Sequence, residues 1–224
     1  VDAAVAAQMA LNLVEPQSSG IGGGAFMLYW DAVARRLYAL DGRETAPVAA
    51  DADYFRDIKG IALKWRKARV GGRAVGVPGT LHLLHTAHDL FGVKSWADLL
   101  EPTITLATGG FPVSPRLAQS IAGAADRGLR QFSAARQYFF DAHGKPLKAG
   151  FILRNPALAN ALRKIAQEGI EPFYQGPIAS RLVKALENTS ELPALMTRED
   201  LSEYRTILRL PVCAPYRGYS VCGI

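Results

Sequence analysis

The residues best placed to do chemistry stand together in Asp41-Gly42-Arg43-Glu44-Thr45-Ala46-Pro47. A strand-like run ends at Leu40, and Pro47 closes the turn that follows. Loops at strand ends commonly carry function. An arginine there can hold a carboxylate through two parallel hydrogen bonds from its planar fork. The plainer alternative is an ion pair with a nearby acid, because structural arginines are common. Spacing alone does not choose between the two.

Other groups are weaker candidates. Gly20, Gly22, Gly23 and Gly24 form a glycine-rich stretch, and Gly20-x-Gly22-x-x-Ala25 formally fits a dinucleotide fingerprint. That fingerprint needs a strand before it and a helix after it, since the helix N-terminus holds the pyrophosphate. Here a helical pattern precedes the glycines and a strand pattern follows. The nucleotide reading fails, and a tight loop permitting close backbone approach remains, with a share in a substrate site left open. His82, His85 and His88 recur every three residues on one expected helix, spread over roughly 120° of its surface. No His-Glu-x-x-His arrangement is present, so a polar helix face is the better reading and no metal is expected. Ser18 and Ser19 lack a nucleophile-elbow pattern. Lys64-Trp65-Arg66-Lys67-Ala68-Arg69 is the one dense basic run and reads as a solvated loop or helix face.

These residues need positioning elements. Asp2 can cap a helix to about Val14, which Pro16 ends. Ala25 to Trp30 and Arg36 to Leu40 read as a hairpin. Residues 51 to 78 suggest a long excursion. Thr80 is expected to cap a helix to about Leu90 that Gly92 closes, and Ser95 with Asp98 to cap the next. Pro102 should kink or split that helix, and Gly109-Gly110 closes it. Ser114-Pro115 and Asn155-Pro156 start two more helices, the second stopping at Gly169. A further helix spans 177 to 187. Thr197 with Asp200 caps one to about Tyr204. Two short strands follow from Arg209, turning near Pro215 to Gly218. Strands, then a helical block, then strands again argue for an α+β fold.

The bulk numbers fit an ordinary globular chain. It has 224 residues, 49% apolar, with 26 basic side chains against 20 acidic, a net +6. No apolar run reaches the roughly 18–20 residues of a membrane span. Cys213 and Cys222 are too few for a zinc site or a disulfide scaffold. They can face each other across a hairpin or remain buried thiols. Both chain ends read as cuts through a longer protein.

Five stretches, in order, resemble the γ-glutamyltransferase (γ-glutamyltranspeptidase) family. They are Val14 to Gly24 with Phe26-Met27-Leu28, then Asp41 to Pro47, then Gly71 to Thr80. Leu106 to Pro112 follows, and Met196 to Leu201 leads to Tyr216-Arg217-Gly218-Tyr219. The resemblance covers nearly the whole chain. It implies residues 1–224 of a large subunit, without its extreme N-terminus, its autoprocessing site and the small subunit. The fold it implies is part of the αββα sandwich of N-terminal-nucleophile hydrolases. The activity it implies is γ-glutamyl transfer or hydrolysis, with glutathione as usual donor. The attacking threonine starts the small subunit and lies outside this chain.

Carried to this sequence, the family's arginine is Arg43, binding the α-carboxylate of the γ-glutamyl group, while Glu44 orients the loop. No residue of this chain is expected to be the catalytic nucleophile, and no cofactor is expected. The expected partners are a γ-glutamyl small molecule and the small subunit, with self-association of an exposed apolar face, and neither nucleic acid nor a membrane span. A periplasmic or secreted location is implied by the resemblance. These 224 residues alone should be inactive. Two alternatives stand beside this reading. One is a related amidase resembling cephalosporin acylase. The other is a non-catalytic binding domain acting through residues 64 to 69.

Overall fold

The structure, a computed structural model, describes residues 1–189 and 192–224. Among these the helices are α1 (Asp2–Val14), α2 (Trp65–Ala68), α3 (Thr80–Phe91), α4 (Trp96–Gly109), α5 (Pro115–Ala125), α6 (Ser133–Phe139), α7 (Pro156–Glu168), α8 (Glu171–Tyr174), α9 (Pro177–Glu187) and α10 (Arg198–Ser202). The strands are β1 (Ala25–Asp31), β2 (Arg36–Gly42), β3 (Phe111–Pro112), β4 (Ile152–Leu153), β5 (Ile207–Arg209), β6 (Val212–Tyr216) and β7 (Tyr219–Gly223). The expected α+β character holds. None of the helices is long and apolar enough to cross a membrane.

The chain divides into two compact units. The first comprises Val1–Asp2, Ile21–Val93 and Glu168–Ile224. Its sheet is antiparallel, in the order β1-β2-β5. Period-2 alternation sends successive side chains to opposite faces. Phe26, Leu28 and Trp30 therefore share one face of β1, and all three are exposed. On β2, Ala39 and Leu40 are buried. Helix α3 packs against both strands. Its Phe91 ring lies 4.4 Å from Tyr29 and 4.8 Å from Tyr38, a cross-strand pair. Such aromatic contacts lock a helix end onto a sheet.

Thr80 does not cap α3. It is the first helical residue and is buried, and Gly79 occupies the cap position without a side-chain bond. The N–H groups of Gly79 and Thr80 instead donate to the carbonyl of Gly23, at 2.9 and 3.0 Å. A tertiary carbonyl thus replaces the local hydroxyl that sequence favoured. Asp2, expected as a cap, lies within α1, and its carboxylate accepts from the Val93 N–H.

The capping box at α10 forms as expected, with Thr197 and Asp200 bonding reciprocally. The helix ends at Ser202, short of Tyr204, which frees Tyr204 to turn into the core. Strands β6 and β7 form the expected terminal hairpin. Its register sets Cys213 opposite Cys222, and the two form a disulfide, not a pair of buried thiols.

The second unit comprises Ala3–Gly20 and Lys94–Gln167. Leu13, Ala107, Phe111, Val113, Leu117, Ile121, Leu147, Leu153 and Ala159 form its core cluster. Ser95, Ser114 and Asn155 cap α4, α5 and α7 by accepting from the N–H groups of Asp98, Leu117 and Leu158. Pro102 does not split α4, which continues to Gly109. Leu99, Leu100, Thr103, Ile104 and Ala107 are buried along it, and that burial outweighs the loss of one backbone bond. The short β3–β4 pair and α6 were not anticipated. Two-residue strands and a helix with no buried residue carry too little hydrophobic period to be read.

Candidate substrate-binding site around Arg43

Strand β2 delivers Arg43 just past its last residue, within the first unit. Its main chain is held on both sides. The Arg43 N–H donates to Asp41 Oδ1 at 3.0 Å. The Arg43 carbonyl accepts from the Tyr204 hydroxyl at 2.8 Å. Asp41 also accepts, through Oδ2, from Arg209 Nε at 2.7 Å. Arg209 sits on β5, paired through Ala39 with β2. Burial pushes the Asp41 carboxyl up, but the Arg43 N–H and the Arg209 guanidinium outweigh it and hold it below the usual carboxylate value.

The guanidinium is held but not enclosed. Arg43 Nη1 donates to the Gly24 carbonyl at 3.1 Å, and Nη2 lies 3.0 Å from Glu44 Oε2. The guanidinium carbon lies 5.8 Å from the Phe26 ring centroid, within cation–π range. These partners engage two of the five N–H donors an arginine carries. The side chain remains 51% exposed. The ion pair that offered the plainer reading therefore exists, formed with Glu44, but it leaves an open face. A charged donor fork held by two partners, with N–H donors left on its exposed side, can receive an anionic oxygen.

Gly24 explains why glycine is needed next to this loop. A Cβ there would stand 2.3 Å from Glu44 Oε2, 2.6 Å from Glu44 N and 2.8 Å from Arg43 Cα. Part of the glycine stretch thus has both expected uses, close backbone approach and a carbonyl aimed at Arg43. The far end of the loop is pinned as well. Thr45 pairs with Val77, and the Val48 N–H donates to Asp200 Oδ1 at 2.8 Å.

Behind the loop lies an aromatic and polar cluster. Tyr204 and Tyr174 stack at 6.0 Å, with His82 edge-on to both. Burial, then the charges of Asp41 and Glu44, push the Tyr204 hydroxyl up to about 12, so it stays a donor at neutral pH. Tyr174 donates to the Pro78 carbonyl at 2.9 Å and accepts from the His82 N–H at 3.1 Å. His82 Nδ1 accepts from the Thr206 N–H at 3.3 Å, which assigns the proton to Nε2. Burial first, then the charge of Arg205, lower the His82 value.

The remaining candidates lie apart from this chemistry. His85 pairs with Asp89 at 3.0 Å, one turn along α3. Among the described residues no cluster of histidine, cysteine or carboxylate side chains is arranged to hold a metal ion. In the second unit, Ser18 Oγ accepts from Arg116 at 3.4 Å and Ser19 Oγ from Gln8, and neither bond is to a base. Sequence reading missed Tyr204, Asp41 and Arg209 as supports. Asp41 had a local signal, an acid two residues before the arginine. Tyr204 and Arg209 had none, because their contacts cross more than 150 residues.

Comparison with known proteins shows the family. The gamma-glutamyltranspeptidase family profile matches residues 1–224. The glutathione hydrolase proenzyme of Bacillus subtilis (strain 168) is 38% identical over 221 residues, covering 99% of this chain and 37% of that protein. The chain thus spans a little over a third of the length of such relatives. The solved gamma-glutamyltranspeptidase of Helicobacter pylori superposes with a TM-score of 0.93 at 33% identity, over 100% of this chain and 62% of that one. A cephalosporin acylase from Bacillus halodurans superposes with a TM-score of 0.85 at 30% identity, over 99% and 40%. The fold is that of part of an N-terminal-nucleophile hydrolase sandwich, and the chain belongs to the gamma-glutamyltranspeptidase family.

Proposed function

We propose that this chain serves γ-glutamyl transfer and hydrolysis, with Arg43 binding the α-carboxylate of the γ-glutamyl group. The observation that carries the reading is the half-exposed guanidinium, fixed by Gly24 and Glu44 yet open on one side. A bidentate, charge-assisted contact contributes about 1.5–3 kcal/mol. Held this way, the acyl donor would present its γ-amide to a nucleophile in a fixed position, and orientation lowers the barrier.

In this reading the 224 residues are part of a large subunit, and the nucleophile is a threonine at the start of the small subunit. Its own amine would serve as base. It attacks the γ-carbonyl carbon, the amine of the donor leaves with a proton, and the acyl-enzyme passes to water or to an acceptor amine. Arg43 takes no proton. The exposed face bearing Phe26, Leu28 and Trp30 would meet the small subunit, or a second copy when that subunit is lacking. The Cys213–Cys222 disulfide supports a location outside the reducing cytosol, in the periplasm or secreted.

The acylase likeness supports a second reading, a related amidase with another acyl group. Assaying the full-length protein on γ-glutamyl and glutaryl anilides separates them. They share the carboxylate that Arg43 would hold and differ only in the α-amino group, so the γ-glutamyl preference that the first reading predicts reports recognition of that amine. Preference for the glutaryl compound would favour the second reading.

A further inference from the structure

Independently of the γ-glutamyl chemistry, we propose that residues 55–69 form a docking surface for an anionic lipid bilayer. Within the first unit the segment forms a small two-stranded turn. The Asp57 N–H donates to the Ile61 carbonyl at 2.9 Å, and the Leu63 N–H to the Phe55 carbonyl at 2.8 Å. Asp57 Oδ1 closes the tip by accepting from the N–H groups of Lys59 and Ile61, both at 2.9 Å. Gly60, at φ 75°, supplies the left-handed residue. The turn is therefore built by its own backbone.

This turn presents apolar side chains to solvent. Ile58 at the tip is 103% exposed, Ile61 62%, and Trp65 on the following α2 76%. Antiparallel pairing of Arg56 with Ala62 places Phe55, Ile61 and Leu63 on one face of the ladder. A self-supporting turn has no need of an aliphatic tip for its own stability. Exposed apolar groups of this kind mark interaction sites.

Charge identifies the partner. Residues 56–69 hold six basic side chains and one acid, and Arg56 is ion-paired with the neighbouring Asp53 at 2.8 Å, which leaves a net +4. Lys59, Lys64, Arg66, Lys67 and Arg69 are all exposed. Basic residues attract anionic headgroups while Ile and Trp enter the headgroup–acyl boundary, a pairing typical of interfacial segments. Nucleic acid would use the charge and could stack on Trp65, but offers nothing for Ile58, which has no π-face.

The test is co-sedimentation of the full-length protein with phosphatidylcholine vesicles, with and without phosphatidylserine. Binding to the phosphatidylserine vesicles alone is expected, weakening with salt. Lys64→Ala with Lys67→Ala should weaken it by about 25-fold, at about fivefold per basic side chain. Ile58→Asp should abolish it while leaving activity on a γ-glutamyl anilide unchanged, which shows that the variant folds. Vesicles should blue-shift the Trp fluorescence of the wild type but not of Trp65→Phe. Lack of binding, binding indifferent to Ile58→Asp, or duplex DNA displacing the vesicles would each overturn the proposal.

Discussion

The Tyr204 hydroxyl donates to the carbonyl of Arg43 at 2.8 Å, across 161 residues of sequence. Removing only that hydroxyl leaves a part-buried carbonyl without this donor. Tyr204→Phe should destabilise the protein by about 1–3 kcal/mol. If the contact also aims the arginine, KM for a γ-glutamyl anilide should rise more than kcat falls. Thermal melts and steady-state kinetics of the full-length variant measure both.

Gly24→Ala tests the close approach on the other side. The added methyl would meet backbone atoms of Arg43 and Glu44 at 2.6–2.8 Å, and backbone gives way only if the loop moves. We expect a loss of about 1–3 kcal/mol and a raised KM. A silent substitution would show that the glycine stretch and the arginine loop are not packed as described.

Asp41 ties the loop to β5, and its titration gives the sign of a pH effect. Its carboxyl is held below its ordinary value, so its contribution is complete above about pH 4 and is lost as pH falls through the lowered value. Asp41→Asn should therefore flatten the acid limb of the stability curve. At neutral pH it should cost only about 1 kcal/mol, because Arg209 is half-exposed and solvent screens the pair.

His82 gives a limb at higher pH. Burial and Arg205 lower its value below 6.5, so the unfolded chain binds the proton more readily. Stability from this group is present above about pH 6.5 and is lost as pH falls below it. His82→Asn keeps an acceptor for the Thr206 N–H and should remove that limb. Melting temperatures at about pH 5 and about pH 8 for both proteins, either side of the ordinary imidazole value of about 6.5, provide the comparison.

Much of this was legible before the structure, for physical reasons. The β1–β2 hairpin and the caps at Ser95, Ser114 and Thr197 are local devices, written within a few residues. Arg43 stood out as a candidate from its place after β2, but preferring a site over an ion pair rested on the family resemblance. What was hidden depends on distant partners. The Gly23 carbonyl replaced Thr80 as the cap of α3, and burial carried α4 through Pro102. Whether Cys213 and Cys222 bond depended on the register of β6 and β7, which residue spacing leaves open. The supports of Arg43 from Tyr204 and Arg209 come from the end of the chain and leave no local pattern.

The central claim concerns the Arg43 fork. Arg43→Lys keeps the positive charge but replaces a planar pair of donors with a single ammonium. In the full-length protein, KM for a γ-glutamyl anilide should rise about tenfold or more, the equivalent of losing a contact of about 1.5–3 kcal/mol. An unchanged KM in a variant that melts like the wild type would contradict the assignment.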